Sequence, residues 1–471
     1  MSSTSTQTPS SQLPGNPASS VPASRLTVTP PLPTLADLGI YFVNGSGRYL
    51  VASPSGDGFI ENNETQVKRL LVHEGYSKSP GQRGGLSQID AALHDAERTR
   101  VVDYAGPLAG RKTGSYFEGG YKVLVTGAPV LIEPNPSVEW PTIKRILEEM
   151  FGHDPNQLLH LFGWLKVAYL GLRRGLAEGR APETPGQALA LAGPRNSGKT
   201  LVQSLIREVL GGRSANPYAY MTGTSRFNRE LFEAENLMFG DEVASTNMAA
   251  RRRFGAQLKQ LTVNVEQRCE AKGQNAVTLR PYWRVTMSLN DEPENLCVMP
   301  PMDESIRDKV ILLKAERPSL FESPDWSGDR ASDWAKLMSE LPGFLSFLES
   351  FEIPKDIRCH RFGVKEYHHP DLLLALGALS SEHHLLELID SYLFAPPAVE
   401  LPPRTKWEGT AGDLASVFAT GPAAYPARQL FTWYGAAGTY LGRLCKELPQ
   451  RFSRREVRGI VRYTILPPEK S

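Results

Sequence analysis

The sequence predicts an α/β protein, and three observations lead to this prediction. The apolar run Gln187–Ala192 is typical of a buried strand, and apolar residues at helical spacing follow it after a short loop. A second apolar run ends in Asp241-Glu242, and a third ends in Asn290. Short buried strands that alternate with helical segments favour a parallel sheet, so we expect one in the middle of the chain.

The loop between the first strand and its helix has the pattern G-x-x-x-x-G-K-[ST]. In a strand–loop–helix context this pattern binds phosphates, because its backbone N–H groups and the helix N-terminus favour an anion. Lys199 is expected to reach the β- and γ-phosphates, and the Thr200 hydroxyl is expected to hold Mg²⁺. The sequence therefore predicts ATP and Mg²⁺ as cofactors. The residues of this glycine-rich loop are Gly193, Pro194, Arg195, Asn196, Ser197, Gly198, Lys199 and Thr200.

Three further positions complete the predicted hydrolytic site. Asp241 is expected to share the Mg²⁺ with Thr200, and Glu242 to orient the attacking water; a pair of solvated surface carboxylates is the alternative. Asn290 is expected to contact the γ-phosphate or the water, although asparagine also begins turns. Arg307 is expected to act as an arginine finger on the transferred phosphoryl group, the alternative being a surface salt bridge with Asp303 or Asp308.

Length and composition limit the class of protein. The chain has 471 residues, 41% of them hydrophobic and 22% charged, and a net charge of +1, which is typical of globular proteins. It has no apolar run of about 18 residues and no signal-like N-terminus, so we expect neither a membrane span nor secretion. The four cysteines form no C-x-x-C pair, which favours a reducing, cytoplasmic location.

The regions on either side of the predicted sheet have separate patterns. The Ser/Thr/Pro-rich N-terminus has too few apolar residues to fold. The next hundred residues predict a small α+β domain, with two helices capped by Asn63 and Ser87 and with strands that include Val130–Glu133. The predicted boundaries are a disordered tail at 1–33, the α+β domain at 34–136, a helical segment at 137–180, the ATPase core at 181–320, a helical region at 321–400 and a winged-helix domain at 401–471.

The predicted winged helix is basic. Three short helices, the first capped by Thr410 with Asp413 three residues later, precede two strands that turn at Gly459. Residues 443–470 contain eight basic and three acidic residues, a net charge of +5. Such a basic surface is typical of DNA binding, with Arg454, Arg455 and Arg458 as candidate contacts. Winged helices also bind proteins, and that alternative stays open.

The order of these motifs resembles the superfamily-3 helicases of the AAA+ class, and most of all the helicase part of phage and plasmid primase-helicases. The resemblance depends on the glycine-rich loop, Leu237–Glu242, the strand ending at Asn290, and Arg307, all within 115 residues. It implies an AAA+ P-loop NTPase core in a ring, usually a hexamer, in which Arg307 completes the neighbouring subunit's site. It also implies 3′→5′ movement along one DNA strand.

The family also carries a hairpin with a basic tip that grips DNA in the ring channel. Leu261–Val265 and Ala276–Leu279 are the expected strands of this hairpin. By resemblance, Lys272 at the tip is the first candidate for a contact with the DNA backbone and Arg268 the second. Without the resemblance, a lysine in a turn would be taken as a solvated charge. The run Arg251-Arg252-Arg253 is interpreted as a solvated helix face for at least two of its members.

The sequence therefore favours an ATP-dependent DNA helicase of phage- or plasmid-type replication. Its expected partners are single-stranded DNA in the channel, duplex DNA at the winged helix, further copies of the chain, and a primase or polymerase. Two alternatives remain. One is a DNA-anchored AAA+ switch or defence-type ATPase that remodels partners without unwinding, and the other is a small-molecule kinase with a fused DNA-binding domain.

Overall fold

The N-terminal region contains two small sheets and two helices. The computed structural model describes residues 32–468 except 57, 82–83, 180–184, 241–247, 297, 301, 303, 379–380 and 395–403. Most of the predicted disordered tail therefore lies outside the described residues, as do Asp241 and Glu242. The elements are β1 (Tyr41–Val43), β2 (Arg48–Ala52), β3 (Phe59–Asn62), α1 (Glu64–His73), α2 (Gln88–Thr99), β4 (Val101–Val102), β5 (Tyr104–Gly106), β6 (Gly114–Glu118) and β7 (Tyr121–Val125). The strand orders of the two sheets are β3-β2-β1-β4 and β5-β7-β6.

Side-chain caps fix where the two N-terminal helices begin. Asn63 accepts a hydrogen bond from the Gln66 backbone N–H, and the Gln66 side chain accepts one from the Asn63 N–H, which forms a capping box at α1. Ser87 accepts from the Asp90 N–H at the start of α2. Both caps agree with the sequence prediction.

The prediction of a strand at Val130–Glu133 is wrong. Residues 126–135 form no strand. The segment contains Pro129 and Pro134, which cannot donate to a ladder. Its apolar side chains are partly buried without forming a strand, because Leu131 and Ile132 pack against the hydrophobic core that includes Leu189 and Leu191.

A parallel five-stranded sheet forms the centre of the molecule. Its order is β14-β8-β13-β10-β9. The side chains of β8 alternate between two cores, with the alanines on one face and Leu189 and Leu191 on the other, so the sheet is buried on both sides. The elements are α3 (Pro141–Phe151), α4 (Pro155–Glu178), β8 (Ala188–Ala192), α5 (Lys199–Val209), β9 (Ser214–Ala215), α6 (Tyr218–Thr222), β10 (Asn236–Gly240), α7 (Met248–Val263), β11 (Gln267–Cys269), β12 (Val277–Leu279), β13 (Arg284–Leu289), α8 (Pro293–Leu296), α9 (Glu304–Arg307) and β14 (Val310–Lys314).

The predicted position of the first hairpin strand, Leu261–Val265, is also wrong. Leu261–Val263 belongs to helix α7, and the hairpin strand β11 begins later, at Gln267. Phe254, Leu258 and Leu261 are buried at helical spacing, and this packing outweighs the β-propensity of the segment. The second strand, β12, lies within the predicted Ala276–Leu279.

The C-terminal third begins with a long helix and ends with three short helices and a three-stranded sheet, β17-β19-β18. Glu340 on the long helix accepts hydrogen bonds from the Thr142 and Ile143 N–H groups at 2.8 and 2.9 Å and so caps α3. The elements are α10 (Arg330–Ser350), β15 (Arg358–Cys359), β16 (Gly363–Val364), α11 (Pro370–Ala378), α12 (Ser381–Leu388), β17 (Trp407–Gly409), α13 (Ala411–Phe418), α14 (Ala424–Leu430), α15 (Ala436–Glu447), β18 (Phe452–Val457) and β19 (Ile460–Ile465).

Two local predictions in this region are confirmed. Thr410 and Asp413 form a capping box at α13. The hairpin β18–β19 turns through Arg458 and Gly459, which have φ angles of 49° and 78°. Within the described ranges, no single helix is long and apolar enough to cross a membrane, although the bent pair 370–377 and 381–393 has sufficient combined length and apolar composition.

Candidate functional site

The glycine-rich loop joins β8 to α5 and depends on its two glycines. A Cβ atom at Gly193 would lie 2.1 Å from the Ala315 carbonyl oxygen. Gly198 has a φ of +90° and precedes α5 without a side-chain cap, and a Cβ there would lie 2.8 Å from the Phe321 ring. The N-terminal N–H groups of α5 therefore face the loop without competition from a capping side chain, which suits a phosphate chain.

The Lys199 ammonium group lies inside this loop. Its Nζ donates to the Gly193 and Pro194 carbonyl oxygens at 2.8 and 2.6 Å and to Ser197 Oγ at 3.3 Å. Lys199 is only 6% exposed. The buried cation is thus held by the loop's own oxygens, close to where a phosphate would be cradled.

A cleft of about 930 Å³ opens beside the loop. Its lining includes Asn290, which follows the carboxyl end of β13, together with Lys199 and Thr200. The Gly193 N–H donates to the Leu289 carbonyl at 3.1 Å, so the ends of β8 and β13 are held together. The structure therefore brings three of the predicted site residues into one cleft. Arg195, Asn196, Ser197 and Gly198 line it as well.

The strand that leads to Asp241 and Glu242 ends at the same edge of the sheet. Gly240, the last residue of β10, pairs with Ser288 on β13, and both strands run parallel to β8. The strand ending at Asn290 thus lies between the strands that end at the glycine-rich loop and at Gly240. The two predicted carboxylates themselves lie outside the described residues.

A buried hydrogen-bond network locks α5 to these strands. The Gln203 amide donates to the Phe239 carbonyl at 3.1 Å and to Thr286 Oγ1 at 3.3 Å. Thr286 Oγ1 donates to Asn236 Oδ1 at 3.0 Å. The helix that begins at the glycine-rich loop is therefore fixed relative to β10 and β13, whose ends flank the cleft.

Arg307 lies at the opposite edge of the sheet. It ends α9 just before β14, and Val310 at the start of β14 pairs with Ala188 at the start of β8. The five residues of β8 separate this edge from the glycine-rich loop, a distance of roughly 17 Å. Arg307 is exposed, and its backbone carbonyl accepts from His368 Nε2 at 3.1 Å. It does not line the cleft of its own chain.

Of the two proposed salt-bridge partners of Arg307, the structure describes Asp308. Asp308 instead pairs with Lys309 and, at 3.1 Å, with Arg361. Asp303, the other candidate partner, lies outside the described residues.

The β11–β12 hairpin carries Lys272 at its exposed tip. Arg268 is also exposed, and it forms an ion pair with Glu270 at 2.8 Å. The tip packs against neighbouring parts of the chain, because Arg229 donates to Gln274 Oε1 at 2.7 Å and also to the Ala105 carbonyl of β5. The hairpin is thereby connected to the N-terminal region.

The arginines of α7 and of the C-terminal hairpin differ in exposure. Arg251 is buried and donates to the Met299 carbonyl at 3.1 Å, whereas Arg252 and Arg253 are exposed on α7, in agreement with the predicted solvated face. Arg454, Arg455 and Arg458 are exposed on β18 and its turn, and they do not line the cleft.

Three aromatic residues of the cleft were not predicted. Phe321, Trp326 and Trp334 line it together with the glycine-rich loop. They lie in a short 3₁₀ helix, in a loop and near the start of α10, where the sequence has no periodicity or motif that would connect them to a loop more than a hundred residues earlier.

Comparison with known proteins supports the fold. A family model described only as a family of unknown function, DUF5906, matches residues 191–307. No curated protein matches the chain. The apo structure of the NrS-1 C-terminal region (305–718) is 14% identical, with a TM-score of 0.51 over 91% of this chain and 95% of that one. An A-form apo structure of the same region gives 12% identity and a TM-score of 0.50, over 91% and 96%.

These likenesses show a shared fold and nothing further, because the identities are so low. A structure of the SCCmec type IV Cch active helicase aligns over 86% of this chain and 71% of that one, with 11% identity and a TM-score of 0.31. A TM-score of that size carries no argument. The residues of the cleft are therefore the basis for the function proposed below.

Proposed function

We propose that this protein is an ATP-dependent DNA helicase or translocase of the superfamily-3 AAA+ type that acts as an oligomeric ring, most simply a hexamer. The single observation that carries the proposal is the shared cleft. Lys199, Thr200 and Asn290 line it from the ends of two adjacent parallel strands. Such a crevice at the carboxyl edge of a parallel sheet is where α/β proteins bind nucleotides.

In this proposal the glycine-rich loop and Lys199 bind and orient the phosphates. Thr200 and Asp241 would hold Mg²⁺, which neutralises charge on the phosphate oxygens when bound. The described residues fit this cofactor, since Thr200, which carries a hydroxyl group, lines the cleft beside Lys199 in the chain. Glu242 positions the attacking water, and Asn290 hydrogen-bonds the water or the γ-phosphate.

Catalysis in this proposal requires a second subunit. Arg307 lies at the other end of the strands from the cleft of its own chain, so it would stabilise the transferred phosphoryl group in a neighbour. This geometry supports a head-to-tail ring, because the same two edges of the sheet then meet at every interface.

DNA would be bound at two places. Lys272, with Arg268 as a weaker contact, would grip the backbone of a single strand in the ring channel. The C-terminal helices and hairpin would act as a winged helix, and Arg454, Arg455 and Arg458 would contact a duplex. A primase or polymerase is the natural further partner of such a motor, and the family resemblance implies 3′→5′ movement.

Strand displacement on a forked duplex tests the proposal. Lys199→Ala should abolish ATP hydrolysis and displacement. Lys272→Ala should retain DNA-independent ATP hydrolysis but lose displacement. Lys355→Ala, which changes an exposed lysine in a short 3₁₀ helix, should match the wild type. ATP hydrolysis that DNA does not stimulate, with no displacement, would contradict the helicase function. Loss of hydrolysis in Lys272→Ala with DNA binding intact would contradict the role given to the hairpin.

One observation favours a second candidate, a DNA-anchored AAA+ switch or defence-type ATPase that remodels partners. The hairpin tip is held by Arg229, and a Cβ atom at Gly45 in the N-terminal region would lie 3.2 Å from Asn275 Nδ2. A tip docked in this way does not need to move along DNA. This candidate predicts DNA-stimulated ATP hydrolysis without displacement of a fork.

A further inference from the structure

The cleft extends well beyond the glycine-rich loop. Its lining follows one face of α5 through Thr200, Ser204 and Arg207. At a rise of about 1.5 Å per residue, Arg207 lies roughly 12 Å along the helix from Lys199. A triphosphate bound at the N-terminus of α5, with its γ-phosphate towards Asn290, would direct the rest of the nucleotide along this face.

Aromatic rings line the cleft from the glycine-rich loop, where Phe321 lies beside Gly198, to Arg207, where Trp334 lies. Phe321 and Trp326 have ring centroids 5.0 Å apart. The Arg207 guanidinium group lies 6.0 Å from the centroid of the Trp334 ring. All three rings are half-buried, so each packs against the core and still exposes part of its surface to the cleft.

The same segment is held in place by Asp333. This buried carboxylate accepts from the Ser327 N–H at 3.0 Å, from Ser327 Oγ at 2.8 Å and from the Gly328 N–H at 3.0 Å. Asp329 then caps α10 by accepting from the Ser332 N–H. Both carboxylates are therefore occupied with the fold of the segment, and the Arg207 guanidinium group donates to Glu208 Oε1 at 2.9 Å. The aromatic ring faces are the groups of this segment that are offered to a ligand.

We propose that Trp326, Trp334 and Phe321 form a nucleobase-stacking subsite that holds the base of the nucleotide by its ring face and accepts all four bases. This proposal depends on the proposed function, since it needs the triphosphate at the glycine-rich loop. Every base has a π face, so stacking on aromatic rings with an adjacent guanidinium group is tolerant of base identity. Strong discrimination instead needs groups dedicated to hydrogen-bonding the base edge.

Calorimetric binding to the full chain tests the subsite. The probes are ATP, GTP, CTP, UTP and inorganic tripolyphosphate, which has phosphates but no base. Trp334→Ala and Trp326→Ala should each weaken binding of all four nucleotides roughly fivefold or more and leave tripolyphosphate binding unchanged. Trp334→Phe, which keeps a ring face, should restore most of the affinity. Trp433→Ala, a tryptophan of the C-terminal region, should bind every probe like the wild type.

The outcomes separate the two proposals. If Lys199→Ala binds all five probes as well as the wild type, the proposed function fails. If Lys199→Ala loses them while both tryptophan variants bind nucleotides like the wild type, only the subsite fails. A preference of more than tenfold for one base in the wild type would also overturn the subsite, because stacking alone does not supply it. An equal loss of tripolyphosphate binding in Trp334→Ala would mean that the ring only supports the glycine-rich loop.

Discussion

Lys199 and Arg307 lie at opposite edges of one parallel sheet. Lys199 follows the carboxyl end of β8, and Arg307 precedes the amino end of β14, which pairs with β8. An arginine finger placed in this way can act only on a neighbouring subunit's nucleotide. We therefore predict that Arg307→Ala lowers the kcat of ATP hydrolysis by roughly 10³-fold.

Mixing variants tests the subunit from which Arg307 acts. Arg307→Ala and Lys199→Ala chains are each expected to be inactive alone. Co-assembled, some interfaces combine an intact Lys199 with an intact Arg307, so ATP hydrolysis should return. Mixtures that stay inactive, although size-exclusion chromatography shows mixed oligomers, would show that Arg307 does not act in trans.

Gly198 is predicted to be irreplaceable for nucleotide binding. In Gly198→Ala the new methyl group would meet the Phe321 ring at 2.8 Å, at a φ of +90°. The ring or the loop must shift to relieve the contact, and the left-handed φ strains the loop itself, which moves the N–H groups that would bind the phosphates. We expect loss of detectable ATP binding by calorimetry, together with a stability loss on the order of 1–2 kcal/mol from the left-handed backbone.

Gly179→Ala is the matched control for this prediction. Gly179 has a φ of +70°, and a methyl group there meets no atom of the described chain within 4 Å. It should show the backbone cost in thermal unfolding and bind ATP normally. Weak binding in both variants would mean that general destabilisation, and not the geometry of the loop, causes the loss.

The features that the sequence predicted correctly are set by local chemistry. The caps at Asn63, Ser87 and Thr410 each depend on a polar side chain and an N–H group three residues later. The turn at Gly459 depends on its own backbone freedom. The glycine-rich loop between β8 and α5 is recognisable for the same reason, because the motif consists of particular residues at fixed spacing.

The features that the sequence did not predict depend on residues far apart in the chain. Leu261–Val263 has high β-propensity but is helical, since Leu261 completes an apolar face of α7. Phe321, Trp326 and Trp334 join the cleft only because the tertiary fold brings this segment and the start of α10 close to α5, as the contact between Arg207 and Trp334 shows. The insertion of β13 between β8 and β10 is likewise a property of the assembled sheet, and no local pattern encodes it.

Buried histidines are predicted to make stability depend on pH. Burial lowers the pKa of His160, His368 and His369 below the ordinary value of 6.5. The unfolded chain therefore binds more protons than the folded one just below pH 6.5, and the free energy of unfolding must fall as the pH falls through that region. Above pH 6.5 this contribution to stability is fully present.

His160 allows a direct measurement of the effect. His160→Gln should show a smaller drop in the urea midpoint between pH 7 and pH 5 than the wild type, whereas His73→Gln, at an exposed position, should show the wild-type drop. An unchanged drop in His160→Gln would show that its burial does not contribute to the acid sensitivity.

The arginines of the C-terminal hairpin are predicted to bind phosphates. Arg455 on β18 pairs directly with Arg462 on β19, and the neighbouring carboxylate, Glu408, lies 3.8 Å from Arg455, so the two arginines keep a net positive charge that a phosphate could neutralise. Each of Arg454→Ala, Arg455→Ala and Arg458→Ala should reduce the slope of log K against log salt for duplex binding by roughly 0.9, the value expected for one lost phosphate contact. Fluorescence anisotropy over a salt series measures this slope. Arg98→Ala, an exposed arginine of α2, should leave the slope unchanged. If the three hairpin variants also keep the wild-type slope, the C-terminal hairpin does not contact the DNA backbone, and the protein-binding alternative for this region becomes the better explanation of its exposed charge.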